Sequence, residues 1–172
     1  GSHTILITAA NSVVNKSTIT YSWTTDYTAP SALSLTGTPA SITNINSATI
    51  GATATDATAV TYSYTLDGAA STGTLTGLSE GLHTFVVTAT DAAGNSSAPT
   101  SYSWTTDYKP AAITFTAPPA AATNINTADF SFTSSETAAC SYTFDGSPTG
   151  ATSFTVTDGS HIFTVVATDA AG

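Results

Sequence analysis

Residues 102–108 read Y-S-W-T-T-D-Y, and residues 21–27 read Y-S-W-T-T-D-Y, 81 positions earlier. Self-similarity at a fixed spacing is the signature of a repeat architecture. Working outward, T-N-I-N-S-A-T at 43–49 returns as T-N-I-N-T-A-D at 123–129. H-T-F-V-V-T-A-T-D-A-A-G at 83–94 returns as H-I-F-T-V-V-A-T-D-A-A-G at 161–172, and more loosely as H-T-I-L-I-T-A-A-N-S at 3–12. The chain reads as a window on a tandem array with a period of about 80 residues. Arrays set distances, so the first functional expectation is spatial or mechanical.

Hydrophobic periodicity decides the element type. Tyr62, Tyr64 and Leu66 alternate with Ser63 and Thr65, and Cys140, Tyr142 and Phe144 alternate with Ser141 and Thr143. Phe85, Val87 and Ala89 point to one face, Val86 and Thr88 to the other. Alternation of this kind belongs to antiparallel sheets with one buried side. Short strands separated by turn signals predict a sandwich. The expected fold class is therefore all-β, with tandem antiparallel β-sandwich modules.

Strands are expected near 32–36, 47–55, 60–67, 72–78, 82–90 and 100–107, and again near 112–116, 127–134, 138–145, 151–157 and 161–168. Residues 3–10 and 17–26 read as the last two strands of a preceding module. Three segments follow: 1–28, the end of one module; 29–109, a complete module; and 110–172, a module lacking its final strand. Asp67-Gly68 and Asp145-Gly146 are hairpin signals, and D-A-A-G-N at 91–95 is a turn. D-Y-T-A-P (26–30) and D-Y-K-P (107–110) mark junctions that proline stiffens.

The pattern G-L-S-E-G-L-H-T-F-V-V-T-A-T-D-A-A-G-N at 77–95, followed by Y-S-W-T-T-D and a Pro-containing link, resembles the Ig-like repeats of large secreted bacterial surface proteins and adhesins. A-C-S-Y-T-F-D-G at 139–146 is similar to a strand of the same modules. The resemblance covers essentially the whole chain. It implies immunoglobulin-like sandwiches, an extracellular or cell-surface setting, and neighbouring repeats of the same polypeptide as partners. Some members carry two cysteines per module; Cys140 is alone here, so that bridge is missing.

Charged residues are 8% of the chain and the net charge is −9, with Lys16 and Lys109 as the cations. Nucleic-acid backbones and anionic membranes need basic patches, so neither is an expected partner. No stretch approaches the ~18 apolar residues of a membrane helix. Ser and Thr make up about a third of the chain, an outer face of hydroxyls rather than charges.

Five carboxylates stand out: Asp26, Asp56, Asp91, Asp107 and Asp169. Asp26 and Asp107 lie at the junctions, where a Ca²⁺ held by oxygen ligands would stiffen a rod. Turn capping is the competing role, and no D-x-D-x-D-G loop is present. No other cofactor is expected. His3, His83 and His161 fill one slot per repeat and read as structural histidines bonded to neighbouring backbone. G-L-S-E-G at 77–81 matches the G-x-S-x-G nucleophile pattern, but that motif requires a strand-to-helix turn. No catalytic constellation emerges, and the chain is not expected to be an enzyme.

The leading expectation is a structural spacer or stalk in an extracellular surface or fibre-forming protein. One alternative is a self-assembling extracellular filament subunit, in which residues 17–26 complete a neighbour's sandwich. Thr18, Thr20, Trp23 and Thr25 are the candidate donor-strand residues. Another is an adhesin module for glycan or host protein.

Overall fold

In the computed structural model, residues 1–13 and 15–172 are described. They are all-β: more than half lie in strands, and none of the described residues is helical. Accordingly, none forms a helix long and apolar enough to cross a membrane. Contacts group the chain into two compact units. One comprises Gly1–Thr38, Ala48–Leu75 and His83–Ser103, the other Pro39–Ser47, Thr76–Leu82 and Trp104–Gly172.

β1 (Ser2–Ala10) and β2 (Lys16–Thr24) form an antiparallel hairpin in unbroken register from Ser2↔Thr24 to Ala10↔Lys16. Val14, in the turn expected between them, lies outside the described residues. Residues 29–109 follow with β3 (Ser31–Thr36), β4 (Ile42–Thr43), β5 (Ser47–Thr49), β6 (Gly51–Thr55), β7 (Val60–Leu66), β8 (Ala69–Ser71), β9 (Thr74–Thr76), β10 (Gly81–Asp91) and β11 (Thr100–Thr106). Their sheets are β3–β6, β5–β9 and β4–β11–β10–β7–β8. The short β4–β11 pairing is parallel, Thr105 opposite Ile42 and Thr106 opposite Thr43.

Residues 110–172 contain β12 (Ile113–Phe115), β13 (Thr127–Asp129), β14 (Phe132–Ser134), β15 (Ala139–Phe144), β16 (Ser147–Thr149), β17 (Ser153–Thr155) and β18 (Phe163–Thr168). Their sheets are β12–β14, β13–β17 and β16–β15–β18. Register repeats as well as order. Val87 faces Tyr64 and Phe85 faces Leu66; Val165 faces Tyr142 and Phe163 faces Phe144.

The strand expected over 47–55 is two strands in two sheets. The break falls at Ile50, which is 1% exposed and donates its N–H to the Gly73 carbonyl at 2.7 Å. Side chains keep alternating through the break while the backbone changes partner, so β5 bonds β9 and β6 bonds β3. The strand expected over 72–78 is realised only as β9 at Thr74–Thr76, and Gly73 precedes it where a Cβ would collide with the Ile50 carbonyl. The second repeat breaks at Phe130, whose N–H donates to the Thr152 carbonyl at 2.9 Å.

Ile50, Leu75, Phe85, Val87 and Ala89 form an aliphatic-rich core in the first unit, each under 5% exposed. In residues 110–172 Phe130 and Phe154 stand where Ile50 and Leu75 do, and Phe163, Val165 and Ala167 repeat Phe85, Val87 and Ala89. Phe130 stacks on Phe163 with centroids 4.3 Å apart, and Phe144 on Phe154 at 4.1 Å. Both arrangements exploit the same physical gain, apolar surface removed from water.

Candidate functional site

Two carboxylate trios form at corresponding places in the repeats. Asp26, Asp56 and Asp91 bring carboxylate oxygens within 4.8 Å of one another, and so do Asp107, Glu136 and Asp169. The junction aspartates expected from sequence, Asp26 and Asp107, therefore sit in separate clusters, each joined by two acids of the repeat that follows.

Local chain geometry positions the first trio. Asp26 lies just past β2 and accepts the Thr28 N–H at 3.0 Å. Asp56 follows β6 and accepts the Thr58 N–H and hydroxyl at 2.8 and 2.9 Å. Asp91 closes β10, is 5% exposed, and accepts the N–H groups of Ala93 and Asn95 at 2.8 and 2.9 Å. The Asn95 side chain donates to the other Asp91 oxygen at 2.8 Å and to the Asp26 carbonyl at 3.1 Å. One amide thus ties the 91–95 turn to the linker. The Asn95 side-chain bond, helped by backbone N–H groups and opposed by desolvation, holds the Asp91 carboxyl below the usual range.

The second trio is more crowded. Asp107 follows β11, where its N–H donates to the Thr43 carbonyl at 2.9 Å. Asp169 accepts the N–H groups of Ala171 and Gly172 at 2.8 and 3.0 Å. Glu80 joins the neighbourhood and accepts the Tyr108 N–H at 3.0 Å. Desolvation, then the charges of Asp107, Asp169 and Glu80, push the Glu136 carboxyl up. A cavity of about 280 Å³ lies beside these groups, lined by Asn44, Asp107, Lys109 and Asp169 among others. Converging carboxylates are the ligand type of a hard cation such as Ca²⁺, and these two trios are where the chain could hold one.

Glu136 was not singled out from sequence. Its signal is the repeat itself: Ser135-Glu136-Thr137 stands on Thr55-Asp56-Ala57, with the acid kept and its type changed.

The histidines have side-chain partners, and His161 has a backbone one too. His83 Nδ1 lies 2.8 Å from Asp67 Oδ2, and His161 Nδ1 lies 2.8 Å from Asp145 Oδ2. Each aspartate also accepts the next backbone N–H, from Thr84 at 2.7 Å and Ile162 at 2.9 Å. Asp67 and Asp145 adopt φ of 51° and 48°, the left-handed conformation an Asp-Gly hairpin turn uses. Desolvation pushes the Asp67 carboxyl up, but the bonds from His83 and the Thr84 N–H outweigh it and hold it low. The His161 bond and the Ile162 N–H hold Asp145 low. His161 is raised by Asp145 and by the Thr157 carbonyl, 3.0 Å from Nε2.

The donor-strand candidates do not share a face. Thr18 and Thr20 alternate onto one side of β2, and Trp23 with Thr25 belongs to the other. Trp23 is 42% exposed and stacks on His3 at 5.2 Å and Tyr21 at 6.0 Å. The Thr25 hydroxyl lies 2.9 Å from His3 Nε2. Gly77–Gly81 connects β9 to β10, both strands, so the strand-to-helix turn that G-x-S-x-G chemistry requires is not formed.

No protein-family model matches the chain, and no curated protein matches it.

Proposed function

We propose that the chain is a stretch of structural spacer or stalk repeats, Ig-like β-sandwich modules in tandem, from an extracellular surface or fibre-forming protein. It performs no catalysis; its product is distance. The observation that carries this reading is the recurrence of the carboxylate trio. Each trio joins a linker acid, Asp26 or Asp107, to two acids of the following repeat. In the first, Asn95 bonds the linker backbone directly. A linker held this way has fewer directions open to it, and proline removes more. Repeats that each bury their own core, joined by such linkers, behave as a quasi-one-dimensional array. The hydroxyl-rich surface with few charges offers little to bind. The spacer role needs no ion.

Small-angle scattering at high dilution, on this chain and on one carrying an additional copy of residues 29–109, tests the proposal. A spacer gains a constant increment in maximum dimension per repeat. Growth of the radius as the compact globule of the same mass would contradict it.

A further inference from the structure

Two hairpin turns carry a reactive dipeptide. Asp67-Gly68 joins β7 to β8, and Asp145-Gly146 joins β15 to β16. Their φ values, 51° and 81° in the first and 48° and 78° in the second, call for Asp or Asn followed by Gly. The same pairing invites a side reaction. With no Cβ to shield it, the glycine nitrogen attacks the aspartate Cγ of the neutral carboxylic acid. The N–Cγ bond forms, and the glycine proton departs with the carboxyl OH as water. The product is a cyclic imide. Water reopens it at the side-chain carbonyl to restore Asp, or at the main-chain carbonyl to give isoaspartate. No atom is gained or lost overall, but the backbone acquires an extra carbon inside the turn.

The surroundings leave this chemistry open. The Asp67 and Asp145 side chains are 46% and 44% exposed, so water reaches both. A Cβ built at Gly68 or Gly146 would meet no atom within 4 Å. What restrains each aspartate is a clamp from the strand beyond. The Asp67 N–H donates to the Thr84 carbonyl at 2.9 Å, the Thr84 N–H returns to Oδ1 at 2.7 Å, and His83 Nδ1 lies 2.8 Å from Oδ2. The Asp145 N–H donates to the Ile162 carbonyl at 2.9 Å, the Ile162 N–H returns to Oδ1 at 2.9 Å, and His161 Nδ1 lies 2.8 Å from Oδ2. His161 Nε2 also faces a carbonyl, that of Thr157 at 3.0 Å. Both ring nitrogens meet acceptors, an arrangement that the doubly protonated cation satisfies.

We propose that Asp67-Gly68 and Asp145-Gly146 are latent isoaspartate sites, and that His83 and His161 keep them unreacted. A bond to the ionised carboxylate depletes the neutral acid from which the ring closes, by about tenfold for each unit the pKa falls. At Asp67 burial pulls the other way, but the bonds from His83 and Thr84 prevail and hold the carboxyl low. At Asp145 the bonds from His161 and Ile162 hold it low. The same bonds must break before Cγ turns to the glycine nitrogen. The turn thus demands a labile pair, and a histidine 16 positions on guards it in each repeat. The inference is independent of the spacer role.

Warm incubation at neutral pH, followed by site-resolved peptide mapping of isoaspartate, tests it. In the folded chain Asp67 and Asp145 should isomerise at least about tenfold more slowly than in the same chain unfolded in guanidinium. His161→Phe keeps a ring against Phe144, which stacks on His161 at 5.6 Å, and removes the donor. It should speed isomerisation at Asp145 by about tenfold and leave Asp67 slow. His161→Asn, whose amide donates where Nδ1 does, should stay near the wild-type rate. Circular dichroism verifies that each variant is folded; where His161→Phe is not, His83→Phe and Asp67 supply the same comparison. A folded His161→Phe no faster than wild type overturns the proposal, because the turn alone then protects. A slower one overturns it too, by making the imidazole a proton donor to the departing oxygen. Equal acceleration in the Phe and Asn variants overturns it as well, since the donor then makes no difference.

Discussion

Trp104 and Trp23 occupy the same place in identical heptapeptides, yet one is 1% exposed and the other 42%. Their strands differ in company. β11 runs between β10 and β4, while among the described residues β2 bonds only β1. Ile5 and Ile7, aligned with the buried Phe85 and Val87, are 47% and 56% exposed. The difference teaches that burial belongs to the assembled sheet rather than to the strand's own sequence. A two-stranded hairpin cannot cover its own apolar face, and alone is marginally stable in water.

The largest effect expected from this comparison is a pair of alanine substitutions. Trp104→Ala removes a fully buried indole and should cost about 3–5 kcal/mol in the unfolding transition of residues 29–109. Trp23→Ala should stay within about 0.5 kcal/mol in dilute chain. Chemical denaturation of the two variants checks both; equal losses would break the comparison.

Next in size is the strand break. Gly73→Ala forces a Cβ against the Ile50 carbonyl and should destabilise by about 1–3 kcal/mol. Thr152 already carries a side chain at the corresponding position, so Thr152→Ala should be close to neutral by the same measurement.

The histidine pair gives a pH signature. His161 is raised above its ordinary 6.5, so its contribution is complete below pH 6.5 and is lost as pH rises through the folded value. Asp145 is lowered from 3.8, so its contribution is present above pH 3.8 and is lost as pH falls through its folded value. The pair therefore supports residues 110–172 most between these two limits. His161→Gln should flatten the alkaline fall in thermal midpoint. An alkaline fall that survives His161→Gln would assign it to another group.

Much of this architecture is legible in the sequence, for a reason. Alternation reports which face a residue serves, and Phe85, Val87 and Ala89 are all 0% exposed as their spacing requires. Alternation says nothing about which strand a backbone bonds. The handover at Ile50 from β9 to β3 is therefore invisible: the side-chain pattern runs straight through it. β4 was missed because two residues, Ile42 and Thr43, carry no period; β11 makes them a strand. Asp26, Asp56, Asp91, Asp107 and Asp169 stood out singly, but their grouping depends on three turns meeting in space. Asp67 and Asp145 read as turn residues, and their second role depends on a histidine 16 positions on.

The smallest expected effect concerns the trios. Glu136 is raised from 4.5 by burial and by its acidic neighbours, so it favours the fold below pH 4.5 and weighs against it as pH rises through the folded value. Glu136→Gln should raise the thermal midpoint at pH 7, and the gain should vanish in acid, where protonation does the same work. Asp91→Asn is the counter-case. Asp91 is held low by Asn95 and the turn N–H groups, so its loss should lower the midpoint at pH 7.

The most direct measurement is acrylamide quenching of tryptophan emission in dilute chain, comparing the full sequence with Trp23→Phe. The Trp23→Phe protein reports Trp104 alone and should emit at short wavelength, well protected from quencher. The difference between the two proteins reports Trp23, which should emit at long wavelength and quench readily. Equal emission and equal quenching from the two indoles would contradict the claim that one heptapeptide serves as core in one setting and as surface in the other.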